Sequence, residues 1–174
     1  MISGFDWDEG NWPKCAQHGV SKEEIEQLFE GTLAVMADPH PDEPRVRAIG
    51  KTRAGRYLFL VFMLRIVEDK TLVRPISARY MHQKEIAAMN ANKLKSIPSL
   101  RSDAEAERFV ETADLSEYNL SGFKPMRFEI EQKAATLNMR LPQNLLDAVK
   151  AKAKAKGVPY TRYVRLLLEQ DLAH

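Results

Sequence analysis

"GRYLFLVFMLRIVEDKTLVRPISARYMHQKE", residues 55–85, decides the fold of the first half of the chain. It opens on an apolar run, "YLFLVFML", far too short to span a bilayer. "EDK" makes a turn, and "TLVRPISAR" then alternates apolar and polar residues at the period of a strand. Strands joined by so short a turn pair antiparallel. From Met81 the period becomes helical, in "MHQKEIAAMNANKL", residues 81–94. Upstream, "RVRAIGK" alternates too, and "TRAG" separates it from the long run. Three strands in an antiparallel meander, then a helix, are expected here.

Working outward, Asn11 can cap a short helix that carries Trp12 and Pro13 in its first turn, where proline is tolerated. Gly19 stops it, and Lys14 and His18, one helical turn apart, share a face. In "SKEEIEQLFEG", Ser21 and Glu24 make a capping box, while Ile25, Leu28 and Phe29 form the apolar stripe. Composition shifts near Asn90. Residues 89–132 read as an extended acidic segment with one helix, Asp103 to Thr112, capped by Ser102 with Glu105 opposite.

The end of the chain is a strand, helix, helix unit. In "ATLNMRLP", Leu137, Met139 and Leu141 point one way, and Thr136, Asn138 and Arg140 the other. Pro142 begins a helix that Gly157 stops, and a second helix carries Val164, Leu167, Leu168 and Leu172 on one face. The expected divisions are 1–88, 89–132 and 133–174. The class is α+β: a small antiparallel-sheet domain, an extended acidic segment, then a small strand-and-helix unit.

The chain has 174 residues, 44% of them hydrophobic, enough for a packed core. Its one cysteine, Cys15, excludes an internal disulfide and a Cys-based zinc site, and reads as a small buried residue. No metal or cofactor is expected. The acidic N-terminus lacks the apolar core of a signal peptide, so a cytoplasmic protein with no membrane partner is expected. Net charge is +2, but residues 133–174 hold 8 Lys and Arg against 3 Asp and Glu. Such a tail suits nucleic acid, although a solvated basic helix face gives the same count.

A forty-residue strand–helix–helix unit cannot bury a core alone, and its strand has two open edges. Pairing with a second copy solves both problems and yields a two-stranded ribbon of the size that enters a major groove. Thr136, Asn138 and Arg140 would face the bases, Arg pairing with guanine and Asn with adenine. The alternative is a helical dimerisation module whose strand face is merely solvated. At least a homodimer is expected either way.

"LNMRLPQNLLDAVKAKAKAKGVPYTRYVRLLLEQDL" resembles the ribbon-helix-helix domain of CopG/BrnA-type antitoxins, and "IPSLRSDAEAERFVETADLSEY" is similar to the acidic segment preceding it in that family. The resemblance implies a dimeric repressor that binds operator DNA and neutralises a toxin. It makes Thr136, Asn138 and Arg140 the base readers, with backbone N–H groups near Tyr160 and Thr161 holding a phosphate at a helix N-terminus.

"HGVSKEEIEQLFE", "RVRAIG", "GRYLFLVFMLR" and "RPISARYMHQKE" together look like a BrnT-type toxin, a small ribonuclease with a RelE-like fold. The matching residues are His18, Arg45, Arg56, Arg65, Arg74, Arg79 and Glu85. The resemblance implies RNA cleavage without a metal: a base takes the 2′-OH proton, the oxygen attacks phosphorus, and an acid protonates the leaving 5′-oxygen. Lys14, His18, Arg74, Arg79, His82 and Glu85 would carry this chemistry, and Arg45, Arg56 and Arg65 would bind RNA. The bland reading of each arginine is a pair with a local carboxylate. Gln17 stands where the family usually has Lys, and Met89 where it often has Tyr.

The whole then reads as a toxin–antitoxin fusion whose antitoxin half silences the toxin half and represses its own operator. The alternatives are an active ribonuclease whose antitoxin segment is displaced or cleaved, and a degenerate toxin that acts only as an interaction module. The acids Asp103, Glu105, Glu107, Glu111, Asp114 and Glu117 are expected to cover the basic site, with Leu100, Phe109, Val110, Leu115 and Tyr118 supplying the burial.

Overall fold

The computed structural model describes residues 1–38, 45–91, 93–130 and 137–172. The chain forms two compact units, residues 1–131 and 132–174, so the acidic segment folds into the first.

The first unit is built on β1 (Gly4–Phe5), β2 (Thr32–Ala37), β3 (Val46–Lys51), β4 (Tyr57–Val67), β5 (Lys70–Tyr80) and β6 (Lys124–Arg127). Their order in the sheet is β1-β5-β4-β3-β2-β6. The expected meander, β3-β4-β5, is its centre. Glu68 and Asp69, at φ 49° and 60°, make the tight turn between β4 and β5. Two positive φ angles in succession match the twist of such a hairpin. The sheet is mixed rather than purely antiparallel, because β1 lies parallel to β5.

Three strands escaped the sequence reading, the first being the two-residue β1. "TLAVMA" is β2, paired with β3, and "KPMR" is β6, which extends the sheet beyond β2. All four β6 side chains are exposed, so it has no buried face to announce it. Long-range backbone pairing alone makes it a strand.

Helices α1 (Trp12–Ala16), α2 (Lys22–Leu28), α3 (Gln83–Ala88) and α4 (Asp103–Thr112) complete the unit. The Ser21–Glu24 capping box forms as expected, and Ser102 Oγ accepts from Glu105 N. α3 stops at Ala88, short of the expected span to Leu94. Ile86 and Met89 pack against the sheet, while the described residues from Asn90 to Ser96 include no buried one that would hold a further turn.

The sheet has a core on each face. Trp7, Cys15, Ile25, Phe29, Leu58, Leu60 and Phe62 lie on the α1–α2 face. Phe128, just past β6, joins them, with its ring 5.3 Å from Phe29 and 5.8 Å from Phe62. Ile49, Phe59, Val61 and Ile76 lie on the other face, against Leu100, Phe109, Val110 and Leu115. No helix among the described residues is long and apolar enough to cross a membrane.

The second unit pairs α5 (Gln143–Ala155) with α6 (Tyr160–Leu172) around the buried Ala153 and Tyr163. Gly157, at φ +66°, turns the chain between them. Residues 137–141, expected as a strand, form none within the single chain. Thr136 lies outside the described residues.

Candidate functional site

Strand register puts three arginines on one face. Arg47 pairs with Val61, and Phe59 with Arg79, so Arg47 and Arg79 share the face of the second core. Arg45, two residues before Arg47, points the same way. An uncovered sheet face carrying three guanidinium groups would attract anions. Here residues 98–115 cover it: Arg45 and Arg47 are each 2% exposed and Arg79 is 5% exposed.

Each arginine is held by backbone or carboxylate oxygens of the covering segment. Arg45 donates to Asp103 Oδ1 through Nε at 3.1 Å and Nη2 at 2.8 Å, and to Leu100 O at 3.2 Å. Arg47 Nη2 donates to Pro98 O at 2.6 Å and to Asp38 Oδ2 at 2.9 Å. Asp38 in turn accepts from Ser99 Oγ at 2.6 Å and Leu100 N at 2.5 Å. Burial pulls the Arg47 pKa down, and the Asp38 charge opposes that shift.

Arg79 spends all of its N–H donors. Nε donates to Val110 O at 2.6 Å, Nη2 to Ala113 O at 2.8 Å, and Nη1 to Tyr80 O at 3.0 Å. The remaining two reach Glu85, at 2.9 and 2.7 Å, in a bidentate pair. Val110 and Ala113 end α4, where helix carbonyls lack intrahelical partners and the macrodipole is negative. The C-terminus of α4 therefore presents to Arg79 what a phosphate would present: convergent oxygens with partial negative charge.

Glu85 is fully buried at the N-terminal turn of α3. Beyond Arg79 it accepts from His82 N at 2.7 Å and Leu115 N at 2.8 Å. Burial acts to raise its pKa, but Arg79 and the two backbone N–H donors hold it below the ordinary carboxylate value. In this state Glu85 is an engaged carboxylate with no room for a substrate proton.

The other expected site residues scatter. Lys14 pairs with Glu107 of α4 at 2.6 Å, so the cover also reaches α1. His18 is half-buried beyond α1, and His82 is exposed at the start of α3. Arg74 pairs with Asp6 and Asp8 at 3.2 and 2.7 Å, and Arg65 with Asp6 at 3.1 Å. These two are neutralised within their own half, as the bland reading holds, and the Arg74 bond holds the Asp8 carboxyl below its usual pKa. Arg56 lies over the Tyr80 ring, 3.1 Å from its centre. In the second unit Asn138, Arg140, Tyr160 and Thr161 are all exposed.

Sequence reasoning missed Arg47 and Asp38. The alternation in "RVRAIG" already placed Arg47 on the face of Arg45. Nothing local marked Asp38, whose partners lie 9 and more than 60 residues away.

No curated protein matches the chain. Residues 7–85 match the family model described as ribonuclease toxin, BrnT, of type II toxin–antitoxin system. Residues 95–171 match the one described as CopG antitoxin of type II toxin–antitoxin system. The chain thus joins, in one polypeptide, a BrnT toxin domain at residues 7–85 to a CopG antitoxin domain at residues 95–171, the two components of a type II toxin–antitoxin module.

Proposed function

We propose that this fusion carries its own neutraliser in cis. Residues 97–118 hold the ribonuclease half silent by occupying the arginine face, and residues 133–174 dimerise as a ribbon-helix-helix domain that binds operator DNA and represses its own expression. One observation carries the first part: Val110 O and Ala113 O accept from Arg79, while Leu115 N donates to Glu85. Once the cover is lifted, Arg79 would stabilise the charge that builds on phosphorus as the 2′-oxygen attacks. Glu85, His82 and His18 are the candidates to exchange protons, and Lys14 and Arg74 to add charge. Arg45, Arg56 and Arg65 would hold the RNA. Support for the second part is the basic tail and the exposed Asn138 and Arg140 on the stretch that reads as a strand.

The test is RNA cleavage by the full chain, by a Phe109→Ala/Leu115→Ala variant that loosens the cover, and by that variant with Arg79→Ala added. Expected are silence, cleavage and silence again. Cleavage by the parent as fast as by the loosened chain would end the idea of neutralisation in cis. A loosened chain that keeps its sheet by circular dichroism yet cleaves nothing would mean a degenerate toxin, consistent with Gln17 and Met89.

A further inference from the structure

The covered face is one side of the sheet. A second cluster of chemically able residues lies on the other side, at the end of β5. Tyr80 pairs with Leu58, whose side chain belongs to the α1–α2 core, so its ring faces away from Arg79. The Tyr80 hydroxyl donates to Glu24 Oε2 at 2.7 Å and lies 3.3 Å from Gly19 O, next to His18. Glu24 is itself fixed, because its carboxylate accepts from Ser21 N at 3.1 Å. The Arg56 guanidinium then rests on the ring, 3.1 Å from its centre. Arg56 is exposed, and among the described residues the side-chain partners of Tyr80 and Glu24 come from residues 19–24 and 56, none from the antitoxin half.

We propose that the Arg56–Tyr80 stack is a nucleobase-binding platform for single-stranded RNA, open while the arginine face is covered. A planar guanidinium immobilised on an aromatic ring has one face spent and the other free, the geometry on which an unstacked base lies. Glu24 braces the ring from its edge and offsets part of the local positive charge. The platform therefore selects the flat face of a base rather than a phosphate. This inference rests on reading the first half as directed at RNA. It adds a subsite that holds substrate, separate from the Arg79–Glu85 pair, and it means that the silent chain still binds RNA.

The experiment is fluorescence anisotropy of a short labelled single-stranded RNA of mixed sequence, titrated with the full chain. A labelled single-stranded DNA of the same sequence is the second arm. Arg56→Ala is expected to weaken RNA binding about tenfold, the loss typical of one stacked base. Arg56→Lys is expected to weaken it nearly as much, since lysine keeps the charge and loses the plane. Arg53→Ala, which removes the same charge from the same hairpin turn, is expected to bind like the parent. The proposal is overturned if the parent does not bind, if Arg56→Ala binds like the parent, or if Arg53→Ala loses as much. Binding of the DNA as tightly as the RNA overturns the assignment of RNA as the ligand. The two readings separate cleanly. A loosened chain that cleaves RNA, with no effect of Arg56→Ala on binding, removes the platform and leaves the nuclease. Weakened binding by Arg56→Ala, with no cleavage by the loosened chain, does the reverse.

Discussion

The antitoxin half contains two stretches of similar kind, and they meet opposite fates within one chain. Residues 97–130 are too short to make a core, and so are residues 137–172. The first stretch buries Ile97, Leu100, Phe109, Val110, Leu115 and Leu120 against the toxin sheet, adds β6 to its edge and inserts Phe128 among Phe29 and Phe62. The second leaves Leu137, Met139, Leu145, Leu167, Leu168 and Leu172 exposed, from 43% to 85%. On the proposed reading, the difference reflects what each stretch is shaped to meet. One has its partner in the same polypeptide. The other keeps the apolar surface that a second copy would cover.

The sharpest way to break this contrast is at the buried pair. Arg79→Ala leaves Glu85 buried and uncompensated, and loss of one member of such a pair costs about 3–5 kcal/mol. Urea denaturation of the full chain measures it. A loss below about 1 kcal/mol, the scale of an exposed ion pair, would mean that the pair is solvated and the cover loose.

Next come the apolar contacts. Phe109→Ala is expected to cost the first unit about 3 kcal/mol of stability, because a buried aromatic ring is removed from a packed face. Leu167→Ala/Leu168→Ala should leave the first unit's urea midpoint unchanged and instead weaken self-association. Light scattering reads the second effect, and a parent that stays monomeric at micromolar concentration would remove the ribbon altogether.

Much of the cover was legible in advance, for reasons specific to its residues. Ser102 and Glu105 marked the start of α4, and Leu100, Phe109, Val110 and Leu115 were the apolar residues available for burial. Arg79 stood on β5 and Arg45 directly before β3, and the alternation of these strands fixed their face. The binding chemistry was legible only in part. Carboxylates were expected to do the covering, and Asp103 on Arg45 and Glu107 on Lys14 do so. At Arg79, however, the oxygens are main-chain carbonyls of Val110 and Ala113, which every residue type carries. Side-chain identity cannot reveal them. The same holds for β6, defined by pairing with β2 and by no pattern of its own.

A smaller effect concerns the second stretch alone. Arg140→Ala is expected to lose about 1–3 kcal/mol of sequence-specific DNA affinity, with Asn138→Ala similar, while weak salt-dependent binding persists through Lys150, Lys152, Lys154 and Lys156. Unchanged affinity of Arg140→Ala for its operator would move DNA reading elsewhere.

The last effect is a pH dependence at the contact between the first stretch and the toxin half, where Leu115 N donates to Glu85. Glu85 titrates below its ordinary value in the folded chain. Its contribution to stability is therefore complete above the unfolded carboxylate pKa and disappears as pH falls through the depressed one. Urea midpoints of the first unit should fall on acidification below the ordinary glutamate range, and Glu85→Gln should flatten that part of the curve. An equally steep fall in Glu85→Gln would assign the dependence to other carboxylates.

Amide hydrogen exchange on the full chain, read at residues 103–115 and 137–141 across a dilution series, tests the contrast most directly. Amides of α4 and of Leu115 should be protected to the level of β4 and β5, with no dependence on concentration, because their partner is in the same chain. Amides of 137–141 should gain protection only as concentration rises. If residues 103–115 exchange as fast as 137–141, or lose protection on dilution, the cover is not built into the toxin half and neutralisation in cis is contradicted.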